Sequence, residues 1–182
     1  MDLSRRAALG WAAFIAFLAC VPLANWMIGH VGTVCVPHGP CLVPVAPGVL
    51  APSGVLTVGV ALVLRDVVQR CLGFRFGLIA IAAGTLASAL IAPASLVVAS
   101  GVAFAISELA DCAVYTPLQQ RRLMLAVIAS SLVGLAVDSV VFLTLAFHSL
   151  EFLPGQIIGK VWAVLFALPL VSLLRRVTPA PA

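Results

Sequence analysis

Charge is what this sequence has least of. Only 9% of its 182 residues are Asp, Glu, Lys or Arg, against about 25% in a typical soluble domain. Hydrophobic residues make up 63% of it, and mean hydropathy is +1.23. A water-soluble fold of this length has too little interior to hide that much apolar surface, so lipid must be the solvent for most of it. The length suits one bundle, and residues 1–182 are read as a single transmembrane domain.

Other absences narrow the function. The phosphate-cradling pattern G-x-x-x-x-G-K-[ST] is missing, so the chain cannot hydrolyse ATP itself. No basic stretch is interleaved with aromatics, so the net charge of +4 does not point to nucleic acid. There is no G-x-S-x-G and no H-E-x-x-H, and His30, His38 and His148 all fall outside the apolar runs or at their edges. These gaps argue against an intramembrane enzyme. No catalytic residue, metal ligand or cofactor is expected.

What is present is a series of apolar runs. A helix needs about 20 mainly apolar residues to cross the hydrocarbon core. Candidates are 7–28, 50–72, 77–92, 96–115, 123–147 and 156–174. The first is too long for the roughly 7–15 residues of a signal-peptide core, so it reads as a retained helix. The third is short. It either runs past Pro93 or is tilted or re-entrant. The expected fold is an all-α bundle of six transmembrane helices.

Arginines set the orientation. Arg5 and Arg6 precede the first run, Arg70 and Arg75 separate the second and third, Arg121 and Arg122 separate the fourth and fifth, and Arg175 and Arg176 follow the sixth. The alternate connections, 29–49, 93–95 and 148–155, carry no Lys or Arg. Basic loops lie on the cytoplasmic side, so both termini are expected in the cytoplasm of a multi-pass inner-membrane protein. The long outside loop 29–49 is rich in Pro and Gly, which predicts a turn-rich cap or a re-entrant piece rather than a helix. Cys35 and Cys41 lie in it, and the sequence leaves open whether they form a disulfide. A metal site with His38 between them is disfavoured, because three ligands on a short Pro-rich loop match no zinc spacing. Cys20, Cys71 and Cys112 read as small packing residues.

Several charges fall inside the runs: Arg65 and Asp66, Glu108 and Asp111, Asp138, and the one lysine, Lys160. Each costs roughly 2.5–3.5 kcal/mol at a helix centre, so each should face the bundle interior, where an ionisable group is a functional candidate. Arg65 and Asp111 lie near enough to the cytoplasmic face for their side chains to reach it, which is the plain alternative. Asp138 and Lys160 fall at similar depth in the outer half and could pair, and Asn25 falls in the same layer. Glu108 and Asp111, three apart, share a helix face, with Ser107 and Tyr115 nearby. Ser131, Gly134 and Asp138 share a stripe on the next helix, where the glycine allows close approach. Trp26, Phe104 and Trp162 offer rings on which a planar ligand could stack. For the two tryptophans, anchoring at the membrane interface is the strong alternative. For the charges as a set, the alternative is a purely structural ion-pair network.

The order of these elements resembles the queuosine precursor transporter family, also called the vitamin uptake transporter family. The resemblance rests on Ala24-Asn25, on Leu64-Arg65-Asp66-Val67, and on the run from Ser107-Glu108 through Asp111 and Tyr115 to Pro117-Leu118. It continues through Gly134-Leu135-Ala136-Val137-Asp138-Ser139 to Phe142, then Ile157-Ile158-Gly159-Lys160 and Pro169. It covers most of the chain in order. It departs from the family at the Pro- and Cys-rich outside loop and at Arg65, where a Thr-Asp pair is usual. It implies a six-helix carrier importing 7-deazaguanine compounds, precursors in a tRNA modification. Such a base presents a ring N–H and an exocyclic amine side by side, which one carboxylate can accept together. Glu108 is the first choice for that role and Asp138 the second. Asn25 or Lys160 would donate to the ring carbonyl, with Asp111, Asp66, Trp26, Phe104 and Trp162 as further candidates. The expected partners are a small planar nitrogen base and the lipid bilayer, with a homodimer left open. The main alternative is the substrate-binding membrane subunit of an ATP-driven vitamin importer.

Overall fold

A computed structural model gives the architecture of residues 3–37, 39–91 and 96–177. Among these residues six helices are present: α1 (Leu3–His30), α2 (Val55–Leu72), α3 (Phe74–Ile91), α4 (Val97–Leu118), α5 (Leu123–Phe147) and α6 (Leu153–Val177). Three short strands, β1 (Val34–Cys35), β2 (Cys41–Ala46) and β3 (Val49–Pro52), lie between α1 and α2. His38 and the connection 93–95 fall outside the described residues, as do the side chains of Arg175 and Arg176.

Lipid offers no partner to a backbone N–H or C=O, so apolar runs of this length must satisfy their own backbone as helices. Four of them, α1, α3, α4 and α5, are long and apolar enough by themselves to cross a membrane. The short third run is one of these. At 18 residues, α3 spans about 27 Å, close to the thickness of a hydrocarbon core. The helix α2 misses that standard because it carries Arg65, Asp66 and Arg70. Its position explains how it tolerates them. It packs against all five other helices and buries 13 of its 18 residues, Arg65 completely. Lipid-facing surface is supplied by its neighbours, through side chains such as Ile15, Leu90 and Phe166, which are 67%, 75% and 80% exposed. In α6 the apolar run is Leu153–Pro169.

Hydrogen bonds distinguish the two ends of the bundle. Arg6 Nη2 donates to the Arg70 carbonyl at 2.7 Å, and Arg70 Nη1 donates to the Gln119 carbonyl at 3.2 Å. These join the start of α1 to the ends of α2 and α4, at what is called here the arginine end. There the chain reverses from α2 to α3 at Gly73, whose φ of 99° only glycine takes readily. Its N–H closes on the Gln69 carbonyl at 2.9 Å.

The opposite end carries the sheet. The expected turn-rich cap is ordered into antiparallel strands in the order β1-β2-β3, so an all-α description needs this addition. Residues 50–52 belong to β3, and α2 begins at Val55 rather than at 50. A disulfide joins Cys35 to Cys41, directly paired on β1 and β2. Ser53 Oγ donates to the Met27 carbonyl at 2.7 Å, pinning the end of the sheet to α1. On α6, a Cβ at Gly159 would come within 3.0 Å of the Val45 side chain. The cap therefore rests on α1 and α6 and shapes the entrance to the space between them.

Candidate functional site

The buried polar groups separate into two layers along the bundle. The layer nearer the arginine end is centred on Arg65 of α2. Its Nε donates to Glu108 Oε2 at 3.2 Å, its Nη1 to Gln69 Oε1 at 3.0 Å, and its Nη2 to Asp111 Oδ1. Asp66 Oδ1 lies 3.1 Å from Nη1. The guanidinium also lies 5.6 Å from the centre of the Tyr115 ring, and the Tyr115 hydroxyl donates to the Asp66 carbonyl at 3.2 Å. Ser130 of α5 donates to Asp66 Oδ2 at 3.3 Å. A Cβ at Gly134 would stand 3.0 Å from Asp111 Cβ, so the glycine is what lets α4 and α5 close over this ring. Snorkelling does not describe Arg65, because α2 is central and the guanidinium is surrounded by its partners.

The second layer lies nearer the sheet and is centred on Lys160 of α6. Its Nζ donates to Asp138 Oδ2 at 2.6 Å, to Ser139 Oγ at 2.8 Å and to Gln156 Oε1 at 2.5 Å. Three acceptors match the three donors of an ammonium. Asp138 keeps its other oxygen nearly free, since Oδ1 meets only Ser107 Oγ, at 3.4 Å. Asn25 of α1 donates to the Val21 carbonyl at 3.0 Å and accepts from Ser100 Oγ at 3.4 Å.

A partly open cleft reaches this second layer. Asn25, Asp138, Gln156 and Lys160 supply its main polar surface, and Phe104 and Phe142 line its apolar side. Pro52, at the end of β3, and Gly54, just past it, also line it.

Among the candidates read from the sequence, Asn25, Phe104, Asp138 and Lys160 thus meet in one cleft. Asp66, Glu108 and Asp111 do not line it and gather instead around Arg65. Trp26 and Trp162 are 52% and 48% exposed. Trp26 stacks on His30 at 5.2 Å and Trp162 lies 6.4 Å from Phe166, so neither ring reaches the cleft. Sequence reading missed Gln156 and Phe142. Gln156 precedes Lys160 by one helical turn and so shares its face, a signal that was available.

The family comparison bears on this arrangement. Residues 90–174 match the model of a family described as a putative vitamin uptake transporter. The chain is similar to the vitamin uptake transporters. The matched stretch contains Glu108, Asp111, Asp138 and Lys160, while Asn25 and the Arg65-Asp66 pair precede it. Nothing among the curated proteins or the solved structures matches the chain. The vitamin uptake family is one of transporters rather than enzymes, and among the described residues no group of three or more His, Cys, Asp or Glu is placed to hold a metal ion. The likeness over residues 90–174 is to transporters, and the chain has helices long and apolar enough to cross a membrane, with charged layers buried between them.

Proposed function

We propose that this protein is a secondary transporter that imports 7-deazaguanine-type bases, precursors of queuosine, across the cytoplasmic membrane. In this reading all six helices cross the bilayer, the arginine end faces the cytoplasm and the sheet faces out. The match to the vitamin uptake family and the basic residues flanking the helices support it.

The observation that carries the substrate assignment is the cleft. It sets a carboxylate with one open oxygen, an ammonium and two side-chain amides beside phenylalanine rings. A guanine-like edge presents neighbouring N–H donors, which Asp138 accepts. The ring carbonyl takes the second amide hydrogen of Asn25, whose first goes to the Val21 carbonyl, and Phe104 covers the flat face. Asp138 takes the role for which the sequence favoured Glu108, because Asp138 lines the cleft and Glu108 does not. In the empty site Lys160 neutralises Asp138, which makes a buried carboxylate tolerable while no base is bound.

Radiolabelled uptake into a strain unable to make queuosine is the test. The wild-type chain should restore accumulation of the base, and Asp138→Asn should not. Uptake by the purified chain alone in proteoliposomes would exclude an obligate ATP-driven partner. Normal uptake by Asp138→Asn would sink the site assignment.

A further inference from the structure

The base site leaves the Arg65 ring without a task, and its charges do not balance. Three carboxylates, Asp66, Glu108 and Asp111, face one guanidinium. Arg70, five residues further along α2, is the next cation; with it included the carboxylates still outnumber the cations, three to two. Among the described side chains, the other elements add no compensating charge. Cys112 and Tyr115 of α4 and Ser130 of α5 are neutral neighbours. Lys160 of α6 is matched by Asp138. Arg6 of α1 lies at the arginine end on the Arg70 carbonyl, and Arg75 of α3 is exposed.

A second observation points the same way. Asp111 Oδ2 is buried without a hydrogen-bond donor, and Asp66 Oδ1 has only the charge contact with Arg65 Nη1 at 3.1 Å, in side chains 0% and 1% exposed. An ionised carboxylate oxygen left bare in a core surrounded by lipid is costly. One added proton removes the excess charge and turns one of these acceptors into a donor. Sodium fits less well, because the ring is not arranged as a metal-ligand group.

We propose that the Asp66 and Asp111 carboxylates hold one transferable proton, and that import is driven by proton entry through this site. The coupling part rests on the transport reading above; the proton itself does not. Ser107 and Glu108, adjacent on α4, give a line from one layer to the other. Ser107 Oγ touches Asp138 Oδ1 at 3.4 Å, and the next residue, Glu108, is bonded to Arg65. The proton enters from the cleft along this line and leaves toward the arginine end.

Two readouts test it. In proteoliposomes, a 7-deazaguanine base should accumulate under an inward proton gradient and not under a sodium gradient, and a protonophore should abolish accumulation. Asp111→Asn leaves two carboxylates against two cations. It should keep base exchange across the membrane and lose gradient-driven accumulation. In the base-free protein, infrared spectroscopy should show the carbonyl band of a protonated carboxylic acid at neutral pH. That band should vanish in Asp111→Asn and persist in Asp138→Asn. If Asp111→Asn does not fold, Asp66→Asn makes the same charge change. Sodium-driven accumulation, coupling that survives in Asp111→Asn, or a wild-type spectrum without the band would each overturn the proposal. A wild-type band without any base uptake would support the proton site and refute the base assignment instead.

Discussion

The two polar layers use similar chemistry in opposite ways. Around Arg65 every guanidinium nitrogen has a partner on α2 or α4, and Ser130 of α5 donates to Asp66 in the same ring. Around Lys160 the ammonium is equally satisfied, yet its carboxylate partner keeps one oxygen nearly free and borders a cleft. A buried cation with carboxylates is therefore not by itself a binding site. Access to the cleft separates the layer that can receive a base from the layer buried between the helices.

Breaking each layer should have different consequences. The largest effect is expected from Arg65→Met, which strands three carboxylates in the core. Removing one side of a buried ion pair costs about 3–5 kcal/mol. The variant should lose most of its folded yield and melt well below wild type in detergent. Asp138→Asn should fold, because Lys160 keeps Ser139 and Gln156 as acceptors. Its loss should appear in binding instead. A charged hydrogen bond contributes about 1.5–3 kcal/mol, so base affinity should drop by about 10- to 150-fold in a titration.

The disulfide gives a smaller effect, confined to the cleft end. Cys35 and Cys41 are six residues apart, and closing so short a loop is worth about 2 kcal/mol in the chain-entropy account. Replacing both with serine, or adding reductant, should lower the melting temperature modestly and weaken base binding by loosening the cap. It should leave the infrared signature of the Arg65 ring unchanged. The smallest effect belongs to Trp162→Ala. An exposed ring outside both layers should change stability by no more than about 0.5 kcal/mol, with uptake near wild type. A severe transport defect there would mean that the cleft is not where the base stacks.

Much of this was legible in the sequence, for reasons specific to each element. Apolar length located the six helices, and the arginines at their flanks marked one end. Depth along a helix placed Asp138, Lys160 and Asn25 in one layer, since a constant rise per residue converts position into height. Depth alone does not fix which way a residue faces around the axis. Glu108 was therefore assigned to the ligand, although Arg65, reaching across from α2, holds it. The strands were hidden for another reason. Pro44, Pro47 and Pro52 break the propensity signal, while the alternation of Val43 and Val45 was too brief to stand out. Trp26 and Trp162 had ring chemistry suited to a planar ligand, but sit on faces turned away from the cleft.

The central claim is that the base binds at Asp138 in the cleft and not in the Arg65 ring. Calorimetric titration of the purified protein with a 7-deazaguanine base tests it most directly, comparing wild type, Asp138→Asn and Glu108→Gln. The account predicts binding to wild type, affinity at least about tenfold weaker in Asp138→Asn, and near-normal affinity in Glu108→Gln. The reverse order, or a wild-type protein that binds no such base, would contradict it.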